Sequence, residues 1–401
     1  MLYKIFLNSE YKMKKIAIAL IATLTSISAH ALEKEPREMP KNGIDKALLG
    51  QILFFDTALS FHGNQNCSSC HNPDAAFVDL RENSAQKMVS QGDDPTKFGK
   101  RNSPTMLYAK YSPDFHFDPK TQEYIGGQFW DGRAKNLAEQ AGGPPLDPLE
   151  MGMPDKLSVA KRLINNPMYI QTFSKHYGHE VWQTVDKVYA AMEDAIATFQ
   201  QEKRLLQPFD SKYDKYLQGK YHLTALEEKG RKLFFDKNQT NCSSCHQLQS
   251  TENHTEETFS NYHYYNIGVP KNPRLIAHNQ LDENYIDNGL LDNPAVNSDL
   301  LQKGKFKTPT LRNVSVTAPY MHNGVFNELR TVLLYLDSYN NPTRTINPET
   351  KQAWDKPEYA PTIAHQKLAA KPLSDEDIAA LEAFLKLLTD ERYERLLKKN
   401  E

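Results

Sequence analysis

Cys67 and Cys70 stand three positions apart with His71 directly after them, and Cys242, Cys245 and His246 repeat the arrangement. Two thiols at that spacing on a helical turn can reach the two vinyl groups of one porphyrin edge. The adjacent histidine turns an imidazole under the iron, so each motif is read as the attachment site of one covalent c-type haem. A zinc site would need four Cys or His ligands converging and gains nothing from the repeated sequence around the motifs. The chain has four cysteines in all, so none is left over.

The elements that must position these motifs recur with them. Gly50-Gln51-Ile52-Leu53-Phe54-Phe55-Asp56 leads to Asn66-Cys67, and Gly230-Arg231-Lys232-Leu233-Phe234-Phe235-Asp236 leads to Asn241-Cys242. Only the loop differs, with ten steps from Asp56 to Asn66 against five from Asp236 to Asn241. A repeat of this length marks a duplicated structural unit. Each unit closes with an amphipathic helix, one from Val185 to Gln201 and one opened by Ser374-Asp375-Glu376-Asp377 and running through Leu388. Thr224 and Glu227 form a capping-box pattern ahead of the second repeat. Pro, Gly and Asn-rich stretches, such as 142–145 and 266–297, separate the helices without a run of alternating strand pattern. The expected fold is mostly α. It comprises two cytochrome c-like helical domains with long irregular loops and one haem each, over residues 32–208 and 209–401.

Lys12, Lys14 and Lys15 precede an apolar run from Ile16 to Ile27, and Ala29-His30-Ala31 follows it. That order is a secretory signal over residues 1–31, with translation starting at Met1 or Met13. The run is short for a bilayer, so the mature chain is expected in the periplasm without a membrane span. Removing residues 1–31 leaves 44 basic and 49 acidic residues. This mildly acidic balance excludes a nucleic-acid footprint or a basic membrane face and points to a compact partner or a small substrate.

Four further motifs carry a family resemblance: Arg101-Asn102-Ser103-Pro104-Thr105, Gln128-Phe129-Trp130-Asp131-Gly132-Arg133, Lys307-Thr308-Pro309-Thr310-Leu311-Arg312-Asn313 and Thr317-Ala318-Pro319-Tyr320-Met321-His322-Asn323-Gly324. With the two haem motifs, they make the chain resemble the bacterial di-haem cytochrome c peroxidases, nearer their MauG-like branch. The resemblance implies an oxidoreductase in which one haem reacts with hydrogen peroxide and the other relays electrons. Trp130 stands at the family's position between them. Glu150 and Gln140 match its distal pair, one to move a proton during O–O cleavage and one to hold the oxygen. A calcium ion is implied at Asn102, Thr317 and Pro319, an all-oxygen set suited to a hard cation. The implied electron source is a small redox protein, a cytochrome c or a cupredoxin, or a protein substrate.

Two departures refine this. Many members carry a histidine in the loop after the first motif, yet residues 72–115 contain none. His71 is then the only strong protein ligand of an open iron. For the second haem, the only methionine after His246 is Met321. The distal position counted from Pro319 falls on Leu336, while Tyr335 lies one residue, or about 100° of helix, away. Tyr335, Met321, His322 or no strong ligand remain open there. The rival class is a non-enzymatic di-haem electron-transfer cytochrome, which needs both irons six-coordinate. The open first site and the Glu150 and Gln140 pair argue against it.

Overall fold

Two glycines set how the repeated helices pack. The helix Lys46–Phe54 starts on the Asp45 carboxylate, which accepts from Leu48 N at 2.8 Å, and crosses the helix Val185–Gln200 at Gly50. A Cβ at Gly50 would stand 1.8 Å from the Ala195 carbonyl oxygen. The helix Ala225–Phe235, opened by the Thr224 and Glu227 capping box, crosses the helix Asp375–Lys386 at Gly230. There a Cβ would stand 1.8 Å from the Ala380 carbonyl oxygen. Only a residue without a side chain allows either approach. The phenylalanines agree, since Phe54 lies 5.2 Å from Phe199 and Phe234 lies 5.0 Å from Phe384. The repeat in sequence is a repeat in packing.

The computed structural model describes residues 43–249, 251, 254–296 and 298–397; the secretory signal expected at 1–31 lies outside them. The described chain is mostly helical with long irregular loops. Leu49, Leu53, Val159, Phe173, Met192 and Ile196 centre the first core. Tyr213, Phe234, Phe259, Ile378, Leu381 and Phe384 centre the second. Two antiparallel pairs, His116–Asp118 with Glu123–Ile125 and Tyr264–Tyr265 with Phe306–Lys307, add a little sheet. Strands of two or three residues are too short to show an alternating pattern, which is why the sequence hides them.

The end of the described chain returns to the first module. Tyr108 donates its hydroxyl to Asp390 at 2.7 Å and Tyr393 donates to Pro73 O at 3.0 Å. Beside them the Arg312 guanidinium, 1 % exposed, grips both Asp214 oxygens at 2.6 and 2.8 Å and donates through Nε to Glu257 O at 2.7 Å.

Gly230→Ala should cost about 3 kcal/mol through overpacking against a backbone that cannot give way, visible as a lowered thermal midpoint. Arg312→Met should cost about 3–5 kcal/mol because it strands the Asp214 carboxylate in the interior. Equal midpoints for wild type and variant would contradict either expectation.

Candidate active site

Asn66 opens the turn that carries the first motif. Its side-chain oxygen accepts from Ser69 N at 3.1 Å, its amide donates to Phe55 O at 2.7 Å, and Cys67–Cys70 forms a single helical turn. Cys242–Ser244 forms the equivalent 3-10 turn. None of the four cysteines is in a disulfide. His71 donates through Nδ1 to Phe77 O at 3.1 Å, and His246 donates through Nδ1 to Phe259 O, also at 3.1 Å. That bond fixes the tautomer and leaves each Nε2 as the available ligand. Burial lowers the pKa of the His71 imidazole and pulls that of His246 down to about 4, so the neutral, ligating form is favoured. Paired thiols beside an oriented Nε2, twice over, fit two haems.

The acceptors repeat as closely as the histidines. Phe77 and Phe259 are both left-handed, with φ of 55° and 56°. Thr105 donates to Ala76 O at 2.7 Å and Thr310 donates to Thr258 O at 2.6 Å, holding the peptide just before each phenylalanine. Sequence reasoning missed Phe77 and Phe259 and gave Thr105 and Thr310 no role beyond their motifs. The signal was present in Ser103-Pro104-Thr105 against Thr308-Pro309-Thr310, a third piece of the internal repeat.

Glu150 lies within electrostatic reach of the first motif, where burial and, to a smaller extent, its charge raise the thiols of both Cys67 and Cys70. Its carboxyl is pushed up to about 7, first by burial and then by Asp147, with Arg133 opposing. The loop that carries it folds back on itself through Met151 N to Pro144 O at 3.2 Å and Met153 N to Pro145 O at 2.8 Å. Gln140 sits on the helix Leu137–Gly142 leading into that loop and accepts from Gln200 Nε2 at 3.4 Å.

Trp130 donates its indole N–H to Asn102 O at 2.8 Å, and its own carbonyl accepts from Lys307 N at 2.8 Å. The next residue, Asp131, accepts from Arg101 at 2.6 Å, and Arg101 also holds Asp287 through two bonds of 2.6 and 2.7 Å. Trp130 thus stands between chain segments of both modules. It lines a cavity of about 160 Å³ together with Asn102, Thr317 and Pro319. The structure brings the three calcium candidates to one place. Asn102 donates its amide to Met88 O at 3.1 Å, which leaves the side-chain oxygen as the end available to a cation.

Tyr335 departs from its sequence-based reading as an iron ligand. Its hydroxyl donates to Gly268 O and its ring packs on Phe326, Tyr339 and Trp354. One residue of helical rotation turns it into the core, as a buried aromatic on an amphipathic helix. Met321 lines the cavity beside Trp130, and His322 stacks 3.7 Å over Phe306 with Nε2 3.4 Å from Glu358. The three candidate distal ligands are therefore not gathered at one point.

These features define a helical oxidoreductase with two haem modules flanking a tryptophan. The chain belongs to the di-haem cytochrome c peroxidase family, which includes the MauG proteins. The profile of the family described as di-haem cytochrome c peroxidase matches residues 44–222. The chain is 44% identical over 357 residues to the methylamine utilization protein MauG of Paracoccus denitrificans, covering 88% of this chain and 91% of that protein. It is 32% identical over 287 residues to cytochrome c551 peroxidase of Nitrosomonas europaea, covering 71% and 70%. The crystal structure of the di-haem peroxidase BthA from Burkholderia thailandensis is similar with a TM-score of 0.76 and 33% identity, over 87% of this chain and 86% of that one.

Tyr335→Phe should leave the electron-spin-resonance spectrum of the haem-loaded protein unchanged and cost about 1 kcal/mol for the lost hydrogen bond. A changed low-spin signal in electron-spin resonance would restore Tyr335 as a ligand.

Proposed function

We propose that this enzyme reduces hydrogen peroxide in the pocket of His71, with electrons arriving through Trp130 from the module of His246. Cys67, Cys70 and His71 would hold a haem there, and when bound it would supply the redox chemistry that peroxide reduction needs. The residues of the chain do the rest. Glu150, poised near neutrality, takes the proton from the near oxygen of peroxide and returns it to the leaving one, while Gln140 holds the oxygen by hydrogen bonding. The observation that carries this reading is the doubled support, His71 bonded to Phe77 O and His246 to Phe259 O at 3.1 Å each, with Trp130 bonded to segments of both modules.

Cys242, Cys245 and His246 hold the relay haem in the same reading, with the division between domains near Pro208. Calcium at Asn102, Thr317 and Pro319 would fix the wall that Trp130 shares with them. The signal at 1–31 would deliver the chain to the periplasm. The donor is a small redox protein, a cytochrome c or a cupredoxin, or a protein substrate. Among the described residues no helix is long and apolar enough to cross a membrane.

Glu150→Gln should keep both haems and lower the rate constant for peroxide by about a hundredfold or more. The wild-type rate constant should rise as pH passes through about 7, where Glu150 loses its proton and becomes able to accept one, and the variant should lack that step. Stopped-flow measurement across pH decides. An unchanged rate and profile in the variant would remove Glu150 from the mechanism.

A further inference from the structure

The ten-step loop of the first module has no counterpart in the second, where the five-step loop closes on itself through Thr240 N and Asn241 N to Asp236 O at 3.0 and 3.2 Å. The extra length of the first loop is spent on the segment that carries Glu150. Phe61 N donates to Met151 O at 2.8 Å, directly after Glu150. Asp93 N donates to Glu150 O itself at 2.7 Å. Gly92 packs so closely beneath that a Cβ would stand 2.5 Å from Leu149 O. Three consecutive residues of the acid-bearing loop are thus held from outside it.

What joins the two holding strands is the Asp93 side chain, 4 % exposed. One oxygen accepts from His62 N at 2.6 Å and from His62 Nδ1 at 2.7 Å, and the other accepts from Asn64 N at 3.1 Å. Gln65 Nε2 adds a bond to Gln91 O at 2.6 Å. A carboxylate with several donors is strongly held, and its backbone is the donor to Glu150. We infer that Asp93 is a positioning residue for Glu150, and that the extended loop with His62 is the strap through which it acts.

This rests on the reading of Glu150 as the proton-moving group, and a double-mutant cycle on the full-length, haem-loaded enzyme separates the two. Asp93→Asn should retain both haems and lower the peroxide rate constant by about tenfold, the scale of effect expected when a catalytic group is displaced by a fraction of an ångström. Amide exchange in residues 147–153 should accelerate by a similar factor. In a Glu150→Gln background the same substitution should still accelerate exchange but change the rate constant less than about twofold, because the group it positions is gone. An equal fold-loss in both backgrounds, or wild-type rate and exchange in Asp93→Asn, overturns the strap. Glu150→Gln at wild-type rate overturns the acid reading, and the strap with it. Should Asp93→Asn fail to hold haem, His62→Ala, at a half-exposed side chain, runs the same cycle with the same criteria.

Discussion

The Arg312 guanidinium is the interaction on which the interior of the second module depends. It is buried, bidentate to Asp214 and 3.9 Å from Asp390. Its plane lies 4.6 Å from the Phe209 ring and 5.6 Å from the ring of Phe259, the residue whose carbonyl orients His246. Arginine suits this place because its planar fork satisfies a carboxylate and stacks on aromatic faces at once. Breaking such a set is costly because each member is left without water. The linker, the second haem pocket and the end of the chain are therefore fixed by one side chain.

A second constraint runs through the first pocket. In the proposed mechanism Glu150 would exchange its proton near neutrality, and the burial that raises its carboxyl toward that range also makes the charged form costly there. Asp147 and Arg133 act on it in opposite senses, and the backbone around it is held from the neighbouring loops. The second module, which lacks that acid-bearing loop, keeps a short approach to its motif. Duplication supplied two similar haem supports, and the difference between them lies in a few residues of loop.

Much of the architecture was legible in the sequence because its signals are local. The capping boxes at Thr224 and Ser374 each lie within one turn of the helix start they determine, and the Gly50 and Gly230 segments announce themselves by repeating. The position of Glu150 was legible only through resemblance, since no local pattern distinguishes it from a surface carboxylate. Arg312 with Asp214, Asp93 with His62 and Arg101 with Asp287 were not legible, because the partners are 98, 31 and 186 positions apart and each pairing is set by packing. The left-handed Phe77 and Phe259 were hidden for another reason. Glycine usually marks such backbone, and here the need for a carbonyl under histidine is met with phenylalanine. Tyr335 shows how little separates a core residue from a ligand when the code is one of helical angle.

The return of the chain to Pro73 bears on how the protein is made. Tyr393 meets a residue 320 positions earlier, two residues after His71. During synthesis the first module emerges long before the residues that brace it, whereas the second finds most of its partners nearby. The pocket around His71 would stay unbraced until almost the whole chain has been translated.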